Sequence, residues 1–451
     1  MGSEVFANKA GPAPSSAQSL TSPRTSTAYC SVWKSSTLVC RAVVLVAIIS
    51  FYVAFDTICN MTTEDAGLSQ HGKTIFVPFV FKFSSKHVPQ VMCTIEGVDI
   101  KMPVDTGSTG LLIGAPILPS IDPNIGEPAH HFFTSSKILY VGRLVDLPVR
   151  FGGEHGSYAK ANVPVLVVDK SWRCPWYNPG KDSFKCPPGP NGESATQRDT
   201  SNITYMGVGF GRNCPKDGMP IATPQVNPFL NIDTIDDSPV YPKTMRAGYI
   251  VTTKGIHLGL TSHNLQGFVF ENLRPGLAHD KDARDWSMSR MCFSINSAGT
   301  NCGAMLVDTG IAQMYIRPKE GEQIPTVTIR NPNPRGHAKM VKRVRRGTKI
   351  DVAFPTFDDE KISYSFVVGE GSPVEPNFVV PAQGTTAPFI NTGRNFLYGH
   401  SIAFDAIGGR FGLRPVHPSA SSRKTVFRFL CTHVSASGIV PGRDGEWKSV
   451  V

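Results

Sequence analysis

The fold of this chain is decided by the stretch MPVDTGSTGLLIGAPIL, which occupies residues 102–118. It places one carboxylate, that of Asp105, in a tight Thr-Gly turn between two apolar runs. A carboxylate among apolar neighbours costs free energy unless hydrogen bonds or a partner compensate for its burial. The stretch therefore predicts either a well-capped turn or one half of a catalytic pair.

A second copy of the motif stands far along the chain. The sequence VDTG at 104–107 recurs at 307–310, so that Asp308 follows Asp105 by 203 residues (308 − 105). In both copies an apolar, strand-like run leads into Asp-Thr-Gly and another apolar run follows. Single turns of this composition are common, but two in matching surroundings are hard to obtain by accident. The spacing predicts one lobe of the protein for each motif.

Two carboxylates held close together can hydrolyse a peptide bond without a metal ion or a nucleophilic side chain. Like charges at short range do not both ionise readily, so the pair shares a proton. One carboxylate then acts as a base towards water while the other donates to the carbonyl oxygen. We expect Thr106 and Thr309 to tie the turns together through their hydroxyls. We expect Gly107 and Gly310 to let backbone amides approach the carboxylates, and the pH optimum to be acidic.

The paired motif resembles that of the pepsin-like aspartic proteases. ITYMGVGFG (203–211) is similar to the first-lobe element that packs beside the catalytic loop in that family, and GRNFLYGHSIAFDAIGGRFGL (393–413) follows its second-lobe pattern. The matching residues of the second stretch are Gly393, Phe396, Leu397, Phe404, Asp405, Phe411 and Gly412. The resemblance runs in patches over 73–415. It implies an all-β, bilobal fold with a cleft between two β-rich lobes.

The resemblance also implies an activity. It implies an aspartic endopeptidase, acting as a monomer on peptide or protein substrates without a cofactor or metal, in which Asp105 and Asp308 activate water. The residues that support the pair would be Thr106, Gly107, Ser108, Thr309 and Gly310. The alternative is a catalytically impaired binding or scaffold protein of the secretory pathway, because one fold can carry several functions.

Two departures from the family pattern concern the second turn. Members of the family usually carry Ser or Thr directly after the Gly of each motif. Ser108 occupies this position in the first turn, whereas Ile311 occupies it in the second. The loss of one hydrogen-bond donor to a charged group is worth about 1 kcal/mol or somewhat more. In addition, Asn391-Thr392 replaces the apolar pair that precedes Gly393, which predicts different local packing.

A third departure concerns the hairpin that closes over the substrate in the family. The stretch HHFFTSSKILYVGRLVDLPVRFGG (130–153) is its expected location. The position at which the family has tyrosine falls near Thr134 or Ser135. Tyr140, which is followed two residues later by Gly, is the nearest match for a flap residue, and Tyr158 is a second candidate.

The composition agrees with a loop-rich β protein. The chain has 451 residues, of which 41% are hydrophobic and 18% charged, with 42 Gly and 36 Pro. Helical periodicity is absent over any long stretch. Short apolar or alternating runs between Gly, Pro and Asn clusters predict strands at 73–83, 163–168, 268–273 and 364–368.

The chain divides into five predicted segments. They are a disordered basic tail (1–41), a hydrophobic signal-anchor or signal peptide (42–59), an N-terminal lobe (72–245), a C-terminal lobe (246–416) and a C-terminal extension (417–451). The core of the hydrophobic segment, AVVLVAIISFYVAF, is short for a membrane span, which needs about 20 residues. The basic tail favours a signal-anchor with a lumenal or extracellular body. A cleaved signal peptide and a secreted protein are the alternative.

The cysteines and glycosylation sequons agree with the secretory route. Eight of the ten cysteines follow the apolar core AVVLVAIISFYVAF (42–55), and an even number in a secreted region suggests disulfides. Close spacing in the chain predicts local bridges between Cys174 and Cys186 and between Cys292 and Cys302. Asn60 and Asn202 are predicted glycosylation sites.

The basic charge of the chain is partly local. The net charge is +10, and six of the eleven residues of KMVKRVRRGTK (339–349) are Lys or Arg. No aromatic residue is interleaved with these charges, so nucleic-acid stacking is not indicated. A solvated loop is the simplest interpretation, and a basic docking patch or a dibasic processing site are alternatives. The pair His130-His131 is predicted to lie on the surface rather than to bind a metal.

Overall fold

A computed structural model describes most of the chain beyond its N-terminal segments. The described residues are Leu68, 70–211, 223–240, 242, 244–332, 338–382 and 387–416. The predicted tail, the hydrophobic segment, Asn60 and the C-terminal extension lie outside them. Within these ranges, the structure contains no helix with the length and apolar character needed to span a bilayer.

The protein is all-β, as the sequence predicts, with 47% strand and 6% helix. The strands of the first half are β1 (Ile75–Pro78), β2 (Gln90–Ile95), β3 (Val98–Pro103), β4 (Thr109–Gly114), β5 (Glu127–Phe133), β6 (Ile138–Gly152), β7 (Tyr158–Arg173), β8 (Thr196–Arg198), β9 (Thr204–Val208), β10 (Ile232–Ile235) and β11 (Ser238–Pro239). Those of the second half are β12 (Arg246–Val251), β13 (Gly255–Leu260), β14 (Val269–Asn272), β15 (Arg290–Ile295), β16 (Asn301–Leu306), β17 (Met314–Arg317), β18 (Thr326–Arg330), β19 (Met340–Val344), β20 (Lys349–Pro355), β21 (Glu360–Val367), β22 (Val379–Pro381), β23 (Phe389–Asn391), β24 (His400–Asp405) and β25 (Arg410–Pro415). Short 3₁₀ helices lie at Ala115–Ile117, Glu154–Gly156, Pro224–Val226, Pro228–Leu230 and Arg394–Tyr398.

Strands form in all four predicted stretches, but the first is shorter than expected. Residues 163–168 lie within β7, 268–273 contain β14, and 364–368 overlap β21. In the stretch 73–83 only β1 is a strand. The apolar residues that follow it include Phe79 and Phe83, which are buried from irregular backbone. Their hydrophobic character therefore reports burial rather than strand pairing.

Three large sheets organise the described residues. A ten-stranded sheet is built from β2–β11 and a seven-stranded sheet from β15–β17 and β20–β23. A six-stranded sheet has the order β1-β13-β12-β24-β25-β14. This third sheet takes β1 from the predicted N-terminal lobe and its other strands from the predicted C-terminal lobe. The two halves of the chain are thus joined by strand pairing.

Each Asp-Thr-Gly turn follows a strand of a different large sheet. The first turn connects β3 to β4, and the second lies between β16 and β17. All six residues of β4 are buried, because β4 pairs with β7 on one side and with β9 on the other. This explains why TGLLIG reads as a continuous apolar run rather than as an alternating one. The first turn consequently leads into a strand that is fixed on both edges.

Both predicted disulfides are present. Cys292 and Cys302 are directly opposite each other on β15 and β16. Cys174 and Cys186 enclose the Pro-rich insert that follows β7. Bridges of this kind indicate an oxidising environment, as found outside the cell or in the secretory pathway. Cys93 is the unpaired cysteine within the described ranges, and it is buried.

The basic segment is a strand and a turn rather than the solvated loop that the sequence suggested. Residues 340–344 form β19, which pairs with β18 in a separate two-stranded sheet. Most residues of this hairpin are exposed, including Val327 and Met340. Backbone pairing therefore orders a segment whose charged side chains remain in solvent.

A buried carboxylate is expected to make a large contribution to stability in the six-stranded sheet. Asp405 is fully buried and accepts hydrogen bonds from the guanidinium groups of Arg246 and Arg410 at 2.8–3.1 Å. Asp405→Ala would leave two partly buried cations without their shared carboxylate, at a cost of about 3–5 kcal/mol. Urea unfolding at pH 6 measures this loss. The same change at exposed Asp358 is the control, and an equal effect at both positions would contradict the prediction.

Candidate active site

The two Asp-Thr-Gly turns are joined through their threonines. The backbone N–H of Thr106 donates to Oγ1 of Thr309 at 3.0 Å, and the N–H of Thr309 donates to Oγ1 of Thr106 at 3.1 Å. Each hydroxyl donates in turn to the carbonyl that precedes the opposite aspartate, at 2.5 Å for Val307 and 2.6 Å for Val104. Both threonines are buried. We call this two-fold arrangement of four hydrogen bonds the threonine clasp.

The glycine of each turn lies against the carboxylate of the other. A Cβ added to Gly107 would stand 2.3 Å from Cγ of Asp308, and one added to Gly310 would stand 2.6 Å from Cγ of Asp105. No side chain is tolerated at such distances, so the close approach requires glycine on both sides. The negative charge of Asp105 also acts on Asp308, whose pKa it helps to raise after burial. The structure thus brings the two predicted aspartates into direct contact.

Three donors surround the first carboxylate. The N–H of Gly107 donates to Oδ1 of Asp105 at 2.7 Å. The hydroxyl of Ser108 donates to Oδ2 at 2.8 Å, and the hydroxyl of Tyr205 donates to the same atom at 2.5 Å. Ser108 and Tyr205 are hydrogen-bonded to each other as well. Both oxygens of the half-buried carboxylate thus accept hydrogen bonds.

Two donors reach the second carboxylate, and one of them replaces the missing hydroxyl. The N–H of Gly310 donates to Oδ1 of Asp308 at 2.9 Å, and Nδ2 of Asn391 donates to Oδ2 at 2.8 Å. The amide is held in this orientation because its Oδ1 accepts the N–H of Gly393 at 3.0 Å. Asn391 therefore supplies Asp308 with a side-chain donor at the turn where Ile311 provides no hydroxyl.

Tyr205 and Asn391 occupy corresponding positions and were not identified from the sequence as site residues. Each stands two residues before a glycine, on a strand beside its turn (β9 and β23). Each donates to the Oδ2 atom of one aspartate. The available signal was a polar side chain in an otherwise apolar, buried run, because such a group requires a hydrogen-bond partner.

The two aspartates differ in burial. Asp308 is 8% exposed, whereas Asp105 is half-buried. Burial, followed by the negative charge of Asp105, raises the pKa of Asp308 to about 7, against the opposing hydrogen bond from Asn391. Burial and the same charge hold the pKa of Tyr205 well above its usual value, so the phenol remains a neutral donor. The proton shared by the pair is therefore favoured on Asp308 in acidic solution.

A cavity of about 470 Å³ includes both carboxylates in its wall. The hairpin of β5 and β6 contributes His131, Phe133 and residues 134–136, and the second half of the chain contributes Tyr315 and Phe389. A larger cavity of about 690 Å³ lies beside residues 81–90 and does not include the aspartates. The smaller cavity is the candidate site because both aspartates line it, whereas the larger cavity contains neither.

The flap candidates lie away from this lining. Tyr140 is in the expected hairpin, on β6, but its ring packs edge-on to Phe133 and its hydroxyl accepts a bond from Arg198 at 3.4 Å. Tyr158 lies on β7, and its hydroxyl donates a hydrogen bond to the carboxylate of Asp237. At the cavity the hairpin tip instead presents Thr and Ser side chains from 134–136. The hairpin is formed by β5 and β6, and its tip at the cavity is polar.

The prediction that His130-His131 is a surface pair is wrong for the second residue. His131 is 1% exposed, because the alternation along β5 turns it inward, where it packs edge-on to Phe133. Burial, and secondarily His130, lowers the pKa of His131 to about 3. Among the described residues, neither ring nitrogen has a hydrogen-bond partner. His131 is thus an uncharged polar group beside the aspartates above that pH.

The remaining predicted modification site is on the surface. The side chain of Asn202 is exposed, on the short turn that precedes β9. Its position leaves room for a glycan, which remains a prediction.

No protein-family model matches the chain, and no curated protein matches it. What the protein does is therefore inferred from the geometry of the two turns.

Asp308→Asn is expected to stabilise the protein at pH 7 and to change it little at pH 4. Asp308 titrates at about 7 in the folded state against a reference value of 3.8. The folded protein therefore binds more protons between these values and loses stability as the pH rises through them. Asparagine resembles the protonated acid and avoids this loss, on the order of 3 kcal/mol.

Thermal unfolding between pH 4 and 7 measures this difference. Asp358→Asn at an exposed position is the matched control and should parallel the wild type. A difference between Asp308→Asn and the wild type that does not change with pH would contradict the raised pKa.

Proposed function

We propose that this protein is a pepsin-like aspartic endopeptidase in which Asp105 and Asp308 activate a water molecule. The threonine clasp carries the proposal, because it brings the two VDTG turns together and places each carboxyl group against the glycine of the opposite turn. A turn with only a structural role needs neither a second copy nor contact between the acids. The burial of one acid and the half-exposure of the other provide the proton asymmetry that the chemistry requires.

In the proposed mechanism the ionised Asp105 is the base and the protonated Asp308 is the acid. Asp105 takes a proton from water as the water oxygen attacks the carbonyl carbon, and Asp308 gives its proton to the carbonyl oxygen. The resulting tetrahedral diol collapses when Asp105 returns its proton to the leaving nitrogen. One hydroxyl of the diol returns a proton to Asp308, the C–N bond breaks, and the starting protonation state is restored.

The proposal includes a bilobal body around a cleft. It is supported by the separation of the sheets: β2–β11 deliver the first turn, and β15–β17 with β20–β23 deliver the second. The cavity at the aspartates has walls from both groups of strands. An extended peptide lying there would pass between the polar hairpin tip and the second turn.

The binding or scaffold alternative depended on an impaired second turn. That premise is weakened by Asn391, which supplies Asp308 with the donor that Ile311 lacks. The disulfides agree with action in the secretory pathway or outside the cell. Anchoring through residues 42–59 is part of the same proposal.

Asp105→Asn and Asp308→Asn are each expected to abolish peptide cleavage. Each change removes one proton-transfer group, and such groups contribute about 10²- to 10⁴-fold to the rate. Cleavage of a diverse peptide library between pH 3 and 7, by protein freed of residues 1–59, measures the activity, and pepstatin should inhibit it. Asp358→Asn is the control and should retain full activity.

Absence of cleavage by the wild type throughout this range would overturn the endopeptidase. If protein partners were then retained by both Asn variants, the scaffold alternative would be favoured.

Asn391→Leu is expected to lower kcat/KM about tenfold, because Asp308 loses a donor worth about 1–2 kcal/mol. Adding Ile311→Thr supplies a hydroxyl after Gly310 and should recover part of the loss. Ile311→Thr alone, with Asn391 in place, is the control and should change kcat/KM little. A double variant no more active than Asn391→Leu would show that the two positions do not compensate each other.

A further inference from the structure

A buried arginine encloses the backbone of the second turn. Arg394 is 4% exposed and begins the 3₁₀ helix at 394–398. Its Nε donates to the carbonyl of Thr309 at 3.0 Å and its Nη2 to that of Gly310 at 2.8 Å. Its backbone N–H donates to the carbonyl of Ile311 at 2.9 Å. One residue thus binds the three consecutive carbonyls that follow Asp308.

The same side chain reaches the first half of the chain. Nη1 of Arg394 donates to the carbonyl of Ser85 at 3.2 Å, in the segment between β1 and β2. All partners of the guanidinium are neutral carbonyls, and within the described ranges no carboxylate forms an ion pair with it. Backbone carbonyls satisfy its hydrogen bonds but leave its net charge without a counter-ion.

A buried guanidinium without an ion-pair partner is costly, because arginine remains charged in proteins. The guanidinium is bound to the two residues that directly follow Asp308, so the negative charges available to offset this cost are those of the aspartate pair. Burial lowers the pKa of Arg394, whereas Asp308 and then Asp105 act in the opposite direction. An uncharged donor would suffice to hold a carbonyl, so the charge itself requires an explanation.

We propose that Arg394 is a positioning residue that fixes the second turn and supplies the permanent positive charge that stabilises the singly ionised Asp105–Asp308 pair. This role deepens the proposed endopeptidase function and rests on it. The backbone of the turn is held by the geometry of the guanidinium, and the ionised pair is stabilised by its charge.

The other ionisable groups around the pair provide no such charge in the described part of the site. Tyr205 from β9 and Tyr315 from β17 are phenols, and His131 from β5 is uncharged above about pH 3. Asn391 from β23 is neutral. Removal of the cation should therefore raise the free energy of every ionised form of the pair. Both ionisations would then move to higher pH, and the window in which the pair carries one charge would move with them.

Arg394→Gln and Arg394→Lys separate the charge from the geometry. Gln keeps a hydrogen-bond donor and loses the charge, so both limbs of the pH profile of kcat/KM should move up by about one pH unit. Lys keeps the charge and loses the forked geometry, so kcat/KM should fall while the limbs stay near those of the wild type. A purely structural role would lower kcat/KM in both variants without moving either limb. That result would overturn the proposal.

A measurement that does not depend on catalysis distinguishes this proposal from the proposed function. The loss of thermal stability with rising pH, which follows the ionisation of Asp308, should extend about one pH unit higher in Arg394→Gln. A wild type that cleaves normally, with an unmoved profile in Arg394→Gln, would overturn the role of Arg394 alone. A wild type without any activity would overturn the endopeptidase, while the stability profiles still decide whether Arg394 acts on the pair.

If Arg394→Gln does not fold, it is tested together with Asp105→Asn and Asp308→Asn. In that background the charges that compensate Arg394 are already absent, so loss of the cation should be tolerated and folding recovered. Failure to fold there would show that Arg394 holds only the backbone, and would overturn its electrostatic role.

Discussion

The rest of the candidate site depends on the threonine clasp. Its four hydrogen bonds are each worth about 0.5–1.5 kcal/mol, but their main effect is positional. They fix the backbone of two turns that are separated by 203 residues in sequence. With the turns fixed, Gly107 and Gly310 allow each carboxylate to lie against the opposite backbone. The shared proton and the cavity wall follow from that contact, and the pKa of Asp308 is raised first by burial and then by the charge of Asp105.

The two carboxylates are supported by different groups, but both oxygens of each carboxylate accept a hydrogen bond. Asp105 is supported by a serine hydroxyl and a phenol, and Asp308 by a side-chain amide. An additional cation, Arg394, stands only at the second turn, where the supporting hydroxyl is absent. The acid with the fewer direct donors is therefore the one whose following backbone carbonyls are bound by an arginine. The residues that depart from the family pattern at the second turn therefore have to be considered together.

The sequence predicted what depends on local pattern. The repeated VDTG, the apolar runs and the close cysteine pairs led to the all-β fold, the paired aspartates and both disulfides. The roles of Tyr205 and Asn391 depend instead on which strands lie side by side, and these residues stand 100 and 83 positions from the aspartates they contact. Periodicity identifies a strand but not its neighbour.

Burial in mixed segments was equally hard to predict. HHFF at 130–133 offers apolar or aromatic rings to both faces of β5, so its inward face could not be assigned from the sequence. The prediction of a surface pair at His130-His131 failed for that reason. In the stretch 73–83 the apolar residues are buried as expected, but partly from irregular backbone.

Because the two glycines are placed reciprocally, the surroundings of each aspartate are formed in part by the other half of the chain. The wall against Asp308 is the backbone of Gly107, and the wall against Asp105 is the backbone of Gly310. Separated from the other, each turn would present a solvated aspartate with the ordinary acidity of that side chain. The site therefore exists only in the assembled protein, and any reactivity of the pair appears at the moment the two halves close on each other during folding.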